Sequence, residues 1–129
     1  MTAWGWFAVA SGGALGAMAR FFVSHHTYEW LGRDFAWGTL AVNVVGSFIM
    51  GFMAILLVDK LEASPEIRSF IMVGFLGAFT TFSTFSFETV QYLQLGEFIK
   101  AAANIVVSVL TCLLAVWAGL ALGRQLLTP

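Results

Sequence analysis

Hydroxyl-bearing and aromatic residues alternate at residues 80–86 (TTFSTFS), directly after a glycine-containing apolar stretch. Thr, Ser and Phe are mediocre helix formers, and hydroxyl side chains can hydrogen-bond to main-chain carbonyls in place of the regular helical ladder. The run therefore predicts a break in a helix. Main-chain carbonyls released at such a break can coordinate a cation, and the polar side chains around it can bind an ion.

The two rings within this run, Phe82 and Phe85, are spaced i, i+3 and therefore share one face of a helix. The edge of a phenyl ring is electropositive. Ring edges turned into a narrow path would attract a small anion weakly and a cation much less. The alternative is that these rings are ordinary core or lipid-facing side chains, in a chain that contains 13 phenylalanines.

The composition indicates which solvent surrounds these residues. Of the 129 residues, 60% are hydrophobic and only 10% are charged, with a mean hydropathy of +0.89. A soluble domain carries about 25% charged residues, so the composition predicts an integral membrane protein in a lipid bilayer. A net charge of −1 favours neither nucleic-acid binding nor a polybasic membrane-surface patch.

Four apolar runs meet the length of about 20 residues that a bilayer-spanning helix needs. They cover residues 4–24, 37–58, 68–95 and 100–123, and the linkers at residues 25–36 and 59–67 are short. We therefore expect one all-α domain over residues 1–129. With a helical rise of about 1.5 Å per residue, Gly77 lies about 14 Å from Arg68. This depth places the predicted break near the bilayer midplane.

Polar residues of the other spans fall at a depth that matches the run at residues 80–86. Asn43 lies early in the second span and Ser108 in the first half of the fourth. Amide and hydroxyl groups can donate hydrogen bonds to an anion, and their lack of full charge avoids trapping it. Alternatively, Asn43 and Ser108 form interhelical hydrogen bonds. One half of the bilayer thus collects a candidate ion-binding set: Arg20, Asn43, Thr81, Phe82, Ser83, Thr84, Phe85 and Ser108.

Two charged residues are expected to touch hydrocarbon, Arg20 and Glu88. Charges inside a membrane are functional candidates. Arg20 would attract anions or anchor the structure, or it would reach the interface with its long side chain. An ionised Glu88 in an anion path would repel the anion, so we expect this carboxyl to be paired, protonated or turned aside.

Small residues recur with the four-residue spacing that lets helices approach closely in lipid. The pairs are Gly12 and Gly16, Ser47 and Gly51, and Gly119 and Gly123. They predict close packing, either within the chain or in a dimer.

Basic residues are balanced between the two sides of the predicted spans. Lys60, Arg68 and Arg124 fall on one side, and Arg20, Arg33 and Lys100 on the other. The positive-inside rule then has no bias to act on. The balance favours insertion in both orientations and an antiparallel homodimer, unless subtler signals select one orientation.

At these residues the chain resembles the Fluc/CrcB family of fluoride channels over essentially its whole length. The matching motifs are Gly12-Gly13-x-x-Gly16-x-x-x-Arg20, Gly38-Thr39-Leu40-x-x-Asn43, Gly74-Phe75-Leu76-Gly77 and residues 80–88. The last motif is long and specific. Ala78, Asn104 and Cys112 depart from the family's more frequent residues or fall at variable positions.

The resemblance implies a dual-topology homodimer with two fluoride pores, in the bacterial inner membrane. Each pore would be lined by Asn43, Phe82, Phe85 and Ser108, with hydroxyls of Thr81 and Ser83 along it, Glu88 near its end and Arg20 near its vestibule. It also implies a central sodium ion held by the main-chain carbonyls of Gly77 and Thr80 from both subunits. The implied mechanism is passive: hydrogen fluoride that enters a cell ionises there, and the channel lets the anion leave.

Three other classes of protein are alternatives to a channel. A small multidrug antiporter also has four short spans, but it needs a carboxylate in its first span, where this chain has Arg20. A small membrane enzyme would need a catalytic cluster, and His25, His26, Glu29 and Asp34 resemble none, so we expect no catalytic residues. A purely structural subunit would leave the run at residues 80–86 without a purpose.

Overall fold

The computed structural model describes residues 1–127, and all the regular secondary structure in this part of the chain is helical. Two π-helical segments, Ala54–Lys60 and Ser69–Leu76, lie between α-helical ones. The α-helices are α1 Ala3–Leu31, α2 Trp37–Met53, α3 Pro65–Arg68, α4 Gly77–Phe79, α5 Phe82–Gln94 and α6 Phe98–Leu127.

Four helical stretches are long and apolar enough to cross a membrane, which confirms the predicted all-α class and the number of spans. They are Ala3–Leu31, Trp37–Lys60, Pro65–Gln94 and Phe98–Leu127. Only 11–28% of the residues in their most apolar windows are buried within the chain. Most of the apolar surface therefore requires lipid or another protein chain to cover it.

The first helix is longer than its apolar run predicted. Residues 25–31, expected to be part of a connector, continue α1 to Leu31. The helix ends at Gly32, whose φ of 85° suits glycine and whose N–H donates to the Tyr28 carbonyl at 2.9 Å. The prediction was wrong here because it located the apolar segment, whereas the helical hydrogen bonds continue into polar sequence.

The third helical stretch begins earlier than predicted, at Pro65 instead of residue 68. Ser64 caps it, since the Ser64 hydroxyl accepts a hydrogen bond from the Ile67 N–H at 3.3 Å. Pro65 occupies the first turn, where its missing N–H costs no helical hydrogen bond. The cap fixes the start of the segment that leads to the candidate site.

Glycines of α1 pack against the main chain of the Ser69–Leu76 segment. A methyl group added to Gly12 would collide with the Phe70 carbonyl, and one added to Gly16 would collide with the Phe75 carbonyl. These two glycines therefore act in packing within the chain, one of the two alternatives left open by their spacing.

A second glycine seam joins α2 to α6. A methyl group on Gly51 would meet the Val116 carbonyl, and one on Gly119 would meet the Phe48 carbonyl. The most extensive contacts between elements are those of α1 with the Ser69–Leu76 segment and those of α2 with α6. The first seam thus joins the first and third helical stretches, and the second seam joins the second and fourth.

Candidate functional site

The candidate site is built around Thr80 and Thr81, which lie between α4 and α5. Both residues have extended backbone, with ψ of 158° at Thr80 and 112° at Thr81. The N–H and the hydroxyl of Thr80 both donate to the Leu76 carbonyl, at 3.1 and 3.0 Å. The Thr81 hydroxyl accepts from the Thr84 N–H at 3.1 Å and so caps the start of α5.

Asn43 of α2 supplies the hydrogen bonds that helical neighbours would otherwise give to Thr81. Its Oδ1 accepts from the Thr81 N–H at 2.7 Å, and its Nδ2 donates to the Thr81 carbonyl at 3.1 Å. An amide side chain is suited to this double contact because it carries a donor and an acceptor side by side. The predicted interhelical role of Asn43 is therefore present, directed at the main chain.

Arg20 of α1 contacts the main chain of α4, just before Thr80. Its Nε donates to the Ala78 carbonyl at 2.9 Å. Arg20 also lines a cavity of about 220 Å³ with Arg33 and His25, together with Phe21 and Ser24. This hydrogen bond favours an anchoring role for Arg20 over one in which its side chain extends to the interface.

The main-chain carbonyls predicted to bind a cation belong to Gly77 and Thr80. Gly77 is exposed, and among residues 1–127 neither carbonyl accepts a hydrogen bond. Carbonyl oxygens are ligands for hard cations, so the donor type fits sodium. Within the same residues no group of three or more His, Cys, Asp or Glu side chains could hold a metal ion.

An open groove of about 340 Å³ lies next to Thr80. Phe82 is 77% exposed and Phe85 only 9%, and their ring centroids are 5.5 Å apart at an interplanar angle of 46°. No ionisable carboxyl, amine, guanidine or imidazole is among the groove residues in the described part of the chain. The residues that line the groove are Asn43, Gly46, Ser47, Met50, Thr80, Phe82, Phe85, Ser108, Val109, Cys112, Leu113 and Val116.

The groove brings together four of the predicted ion-binding residues: Asn43, Phe82, Phe85 and Ser108. Its lining, within residues 1–127, does not include Arg20, Thr81, Ser83, Thr84 or Glu88. Thr81, Ser83 and Thr84 form a separate row of hydroxyls at the start of α5. The Thr81 Oγ1 lies 3.3 Å from Ser83 Oγ and 3.0 Å from Thr84 Oγ1.

Glu88 is held by two hydroxyl groups that the sequence analysis did not assign to it. The Tyr28 hydroxyl donates to Glu88 Oε2 at 2.8 Å, and the Thr39 hydroxyl donates to Glu88 Oε1. Glu88 is therefore paired, as expected from its depth. Thr39 could have been found, because it lies four residues before Asn43 on the same face of α2.

A second polar cluster was missed between α5 and α6. Asn104 is 1% exposed, and its Nδ2 donates to Thr89 Oγ1 at 2.9 Å. Ser108 donates to Asn104 Oδ1 at 3.2 Å, and Thr89 donates to the Phe85 carbonyl at 2.8 Å. The i, i+4 spacing of Asn104 and Ser108 was the available signal.

The chain matches a known family and several named relatives. The family model described as CrcB-like protein, Camphor Resistance (CrcB), matches residues 7–120. A relative from Hydrogenovibrio crunogenus, named fluoride-specific ion channel FluC, is 65% identical over 122 residues, which are 95% of this chain and 92% of the relative.

Two further relatives carry the same name. The one from Magnetococcus marinus is 51% identical over 116 residues, covering 90% of this chain and 94% of the relative. The one from Methylococcus capsulatus is 53% identical over 120 residues, covering 93% of this chain but 53% of the relative. This chain thus spans about half the length of the Methylococcus relative.

Proposed function

Since the chain belongs to the CrcB-like protein family, we propose that it is a passive, fluoride-selective channel of a bacterial inner membrane. The names of its relatives support fluoride as the permeant ion. They do not support the small multidrug antiporter, the alternative that the number of spans had raised. As a channel, the protein would catalyse no reaction and would let fluoride leave down its electrochemical gradient.

The observation that carries the proposal is the groove, which joins hydrogen-bonding side chains and two phenyl rings and has no carboxyl, amine, guanidine or imidazole in its lining among the described residues. Asn43 and Ser108 offer amide and hydroxyl groups, and Phe82 and Phe85 offer ring edges. Such groups bind an anion weakly enough for it to leave again, which conduction requires. The hydroxyls of Thr81, Ser83 and Thr84, and the paired Glu88, would lie further along the path.

We further propose that two copies of the chain assemble as an antiparallel homodimer with two pores. The even distribution of basic residues, three on each side, supports insertion in both orientations. The openness of the groove and the exposure of Phe82 support a second copy as the cover that would turn the groove into an enclosed path.

A sodium ion on the axis of this dimer is part of the proposal. One chain offers the two carbonyls of Gly77 and Thr80, which is fewer ligands than a cation needs, and a second copy would double that number. The bound cation would fix the two extended segments against each other. Arg20 would keep the neighbouring Ala78 carbonyl engaged and out of the cation site.

Fluoride efflux from liposomes that contain the purified protein tests the proposal. We expect fluoride to leave when a potassium ionophore balances the charge, and chloride to be retained. Equal rates for the two anions would contradict fluoride selectivity, and an absence of flux would contradict a channel.

Two substitutions in the groove test which residues line the path. Asn43→Asp and Phe82→Ile should each slow fluoride efflux, the first by placing a negative charge in the groove and the second by removing a ring edge. Phe87→Ile is the matched control, because Phe87 is 65% exposed on the same helix and lies outside the groove. Unchanged efflux in both groove variants would overturn the assignment.

A further inference from the structure

Four residues of α5 and α6 form a buried chain of hydrogen bonds behind the groove. It runs from Ser108 Oγ to Asn104 Oδ1 (3.2 Å), from Asn104 Nδ2 to Thr89 Oγ1 (2.9 Å), and from Thr89 Oγ1 to the Phe85 carbonyl (2.8 Å). Asn104 is 1% exposed, and Ser108 and Thr89 are each 7% exposed. Ser108 also lines the groove, so the chain connects the groove wall to the main chain of α5.

The direction of every hydrogen bond in this chain follows from its last member. The Phe85 carbonyl can only accept, so the single hydroxyl proton of Thr89 points to it. Thr89 must then accept from Asn104, which turns Nδ2 toward Thr89 and Oδ1 toward Ser108. Because Oδ1 can only accept, Ser108 donates its own single proton to Asn104 and presents lone pairs to the groove.

This direction is the wrong one for anion binding. An anion in the groove requires a donor, and the lone pairs of a hydroxyl oxygen repel it. A 180° rotation of the Asn104 amide reverses the chain: Nδ2 then donates to Ser108, and the Ser108 proton becomes free for the groove. Thr89 then donates to Asn104 Oδ1, and its hydrogen bond to the Phe85 carbonyl is lost.

We propose that Asn104 is a positioning residue for anion binding, an inference that rests on the proposed function. It holds the Ser108 proton away from the empty groove and releases it when an anion arrives. A hydrogen bond to an anion is stronger than one between neutral groups, so it can drive the reversal even though the hydrogen bond from Thr89 to the Phe85 carbonyl is lost. The free energy of that lost hydrogen bond reduces the affinity for the anion, which favours release and hence conduction.

The Thr89→Val variant tests the proposal at a residue that does not line the groove. Without the Thr89 hydroxyl, nothing fixes the direction of the Asn104 amide, and Ser108 can point its proton into the groove at no expense. We expect the fluoride concentration that gives half-maximal efflux to fall by about fivefold, the equivalent of one neutral hydrogen bond. Thr89→Ser keeps the hydroxyl and should leave this concentration unchanged.

The same measurement in a Ser108→Ala background separates positioning from general damage to the fold. There, Thr89→Val should have no further effect on the half-saturating concentration, because the proton that it frees is gone. Asn104→Leu removes the acceptor of the Ser108 proton and should lower the half-saturating fluoride concentration as Thr89→Val does. It takes the place of Thr89→Val in the test if that variant does not fold.

Three outcomes would overturn the inference. They are an unchanged or raised half-saturating concentration in Thr89→Val, the same change in Thr89→Ser, and an equal change with and without Ser108. Each of these leaves the channel proposal intact, provided that the unsubstituted protein releases fluoride. If it releases none, the proposed function and this inference fall together.

Discussion

Two interhelical contacts in this chain are built in opposite ways. Where α1 meets the Ser69–Leu76 segment, Gly12 and Gly16 bring main chain against main chain. Where α5 meets α6, buried side chains form a chain of hydrogen bonds that centres on Asn104. Both contacts lie in apolar spans, yet only the second contains groups that can exchange donors and acceptors.

The difference assigns separate tasks to the two contacts. A glycine seam has no side-chain torsion to change, and close-packed atoms do not deform continuously, so it holds α1 and the third stretch in one arrangement. Hydroxyls and amides have more than one hydrogen-bonded arrangement at similar free energy. The extended residues Thr80 and Thr81 connect these two regions. The rigid glycine seam therefore lies on one side of them in the sequence, and the α5–α6 hydrogen bonds, which can rearrange, lie on the other side.

Gly16→Val would break the fixed contact and should have the largest effect. The added side chain would collide with main-chain atoms of Phe75, which cannot move aside as a side chain can. We expect a loss of stability of about 3 kcal/mol, seen as a large decrease in the folded fraction on size-exclusion chromatography in detergent.

Gly13→Ala is the matched control for this seam. A methyl group on Gly13 would lie 3.9 Å from the Gly74 carbonyl, an ordinary contact distance. Its folded fraction should match that of the unsubstituted protein. If Gly16→Val folds as well as Gly13→Ala, the seam is not the rigid contact described here.

Asn43→Leu tests the junction between the two regions. The substitution removes both partners of the Thr81 main chain, at 2.7 and 3.1 Å, and takes an amide out of the groove. Unpaired main-chain groups in a low-dielectric interior are costly, so the extended backbone should change. We expect fluoride efflux to fall at least about tenfold, equivalent to about 1.4 kcal/mol.

Ser47→Ala is the control for Asn43→Leu, since Ser47 follows one turn later on α2 and lines the same groove. It leaves the contact with Thr81 in place and should reduce efflux far less. Equal losses in the two variants would indicate that the polarity of the groove, and not the support of Thr81, determines the flux.

The comparison also shows which contacts a sequence can predict. The spans follow from apolar length, and the glycine seams follow from small residues four apart, because both signals are local and periodic. The four-span all-α class is confirmed, although residues 25–31 extend α1 beyond its apolar run. Helical hydrogen bonding does not require apolar side chains, so the end of an apolar run did not mark the end of the helix.

Polar partners were harder to predict, because each depends on the rotation of one helix relative to another. Asn43 and Ser108 were found as candidates from their depth, and both line the groove. Their actual partners, Thr81 and Asn104, could not be read from one sequence. The same holds for the hydroxyls of Tyr28 and Thr39 around Glu88.

Thr39→Val would remove a side-chain hydrogen bond between α2 and Glu88 of α5. It would not open a large cavity, because Val and Thr are similar in shape. The substitution leaves Glu88 with one of its two hydroxyl donors, that of Tyr28. Leaving a partly buried acceptor without its donor costs about 2 kcal/mol, and we expect a decrease of this size in the free energy of unfolding.

Thr111→Val makes the same chemical change at a hydroxyl that donates to the Val107 carbonyl of its own helix. Thermal unfolding in detergent would compare the two variants. A Thr39→Val protein that unfolds at the same temperature as Thr111→Val would show that the Glu88 contact adds little to the fold.

Gly96→Ala should have the smallest effect, and it separates the two reasons for glycine in this chain. Gly96 ends α5 with a φ of 75°, and a methyl group there would have no heavy atom within 4 Å. Its requirement is therefore conformational, whereas that of Gly16 is steric.

A non-glycine residue in this backbone region costs about 1 kcal/mol, and Asn tolerates it better than Ala does. We therefore expect Gly96→Ala to lower the free energy of unfolding by about 1 kcal/mol and Gly96→Asn to lower it less, by thermal unfolding. Equal losses in the two variants would contradict the conformational explanation, and a loss as large as that of Gly16→Val would remove the distinction between a packed glycine and a helix-ending one.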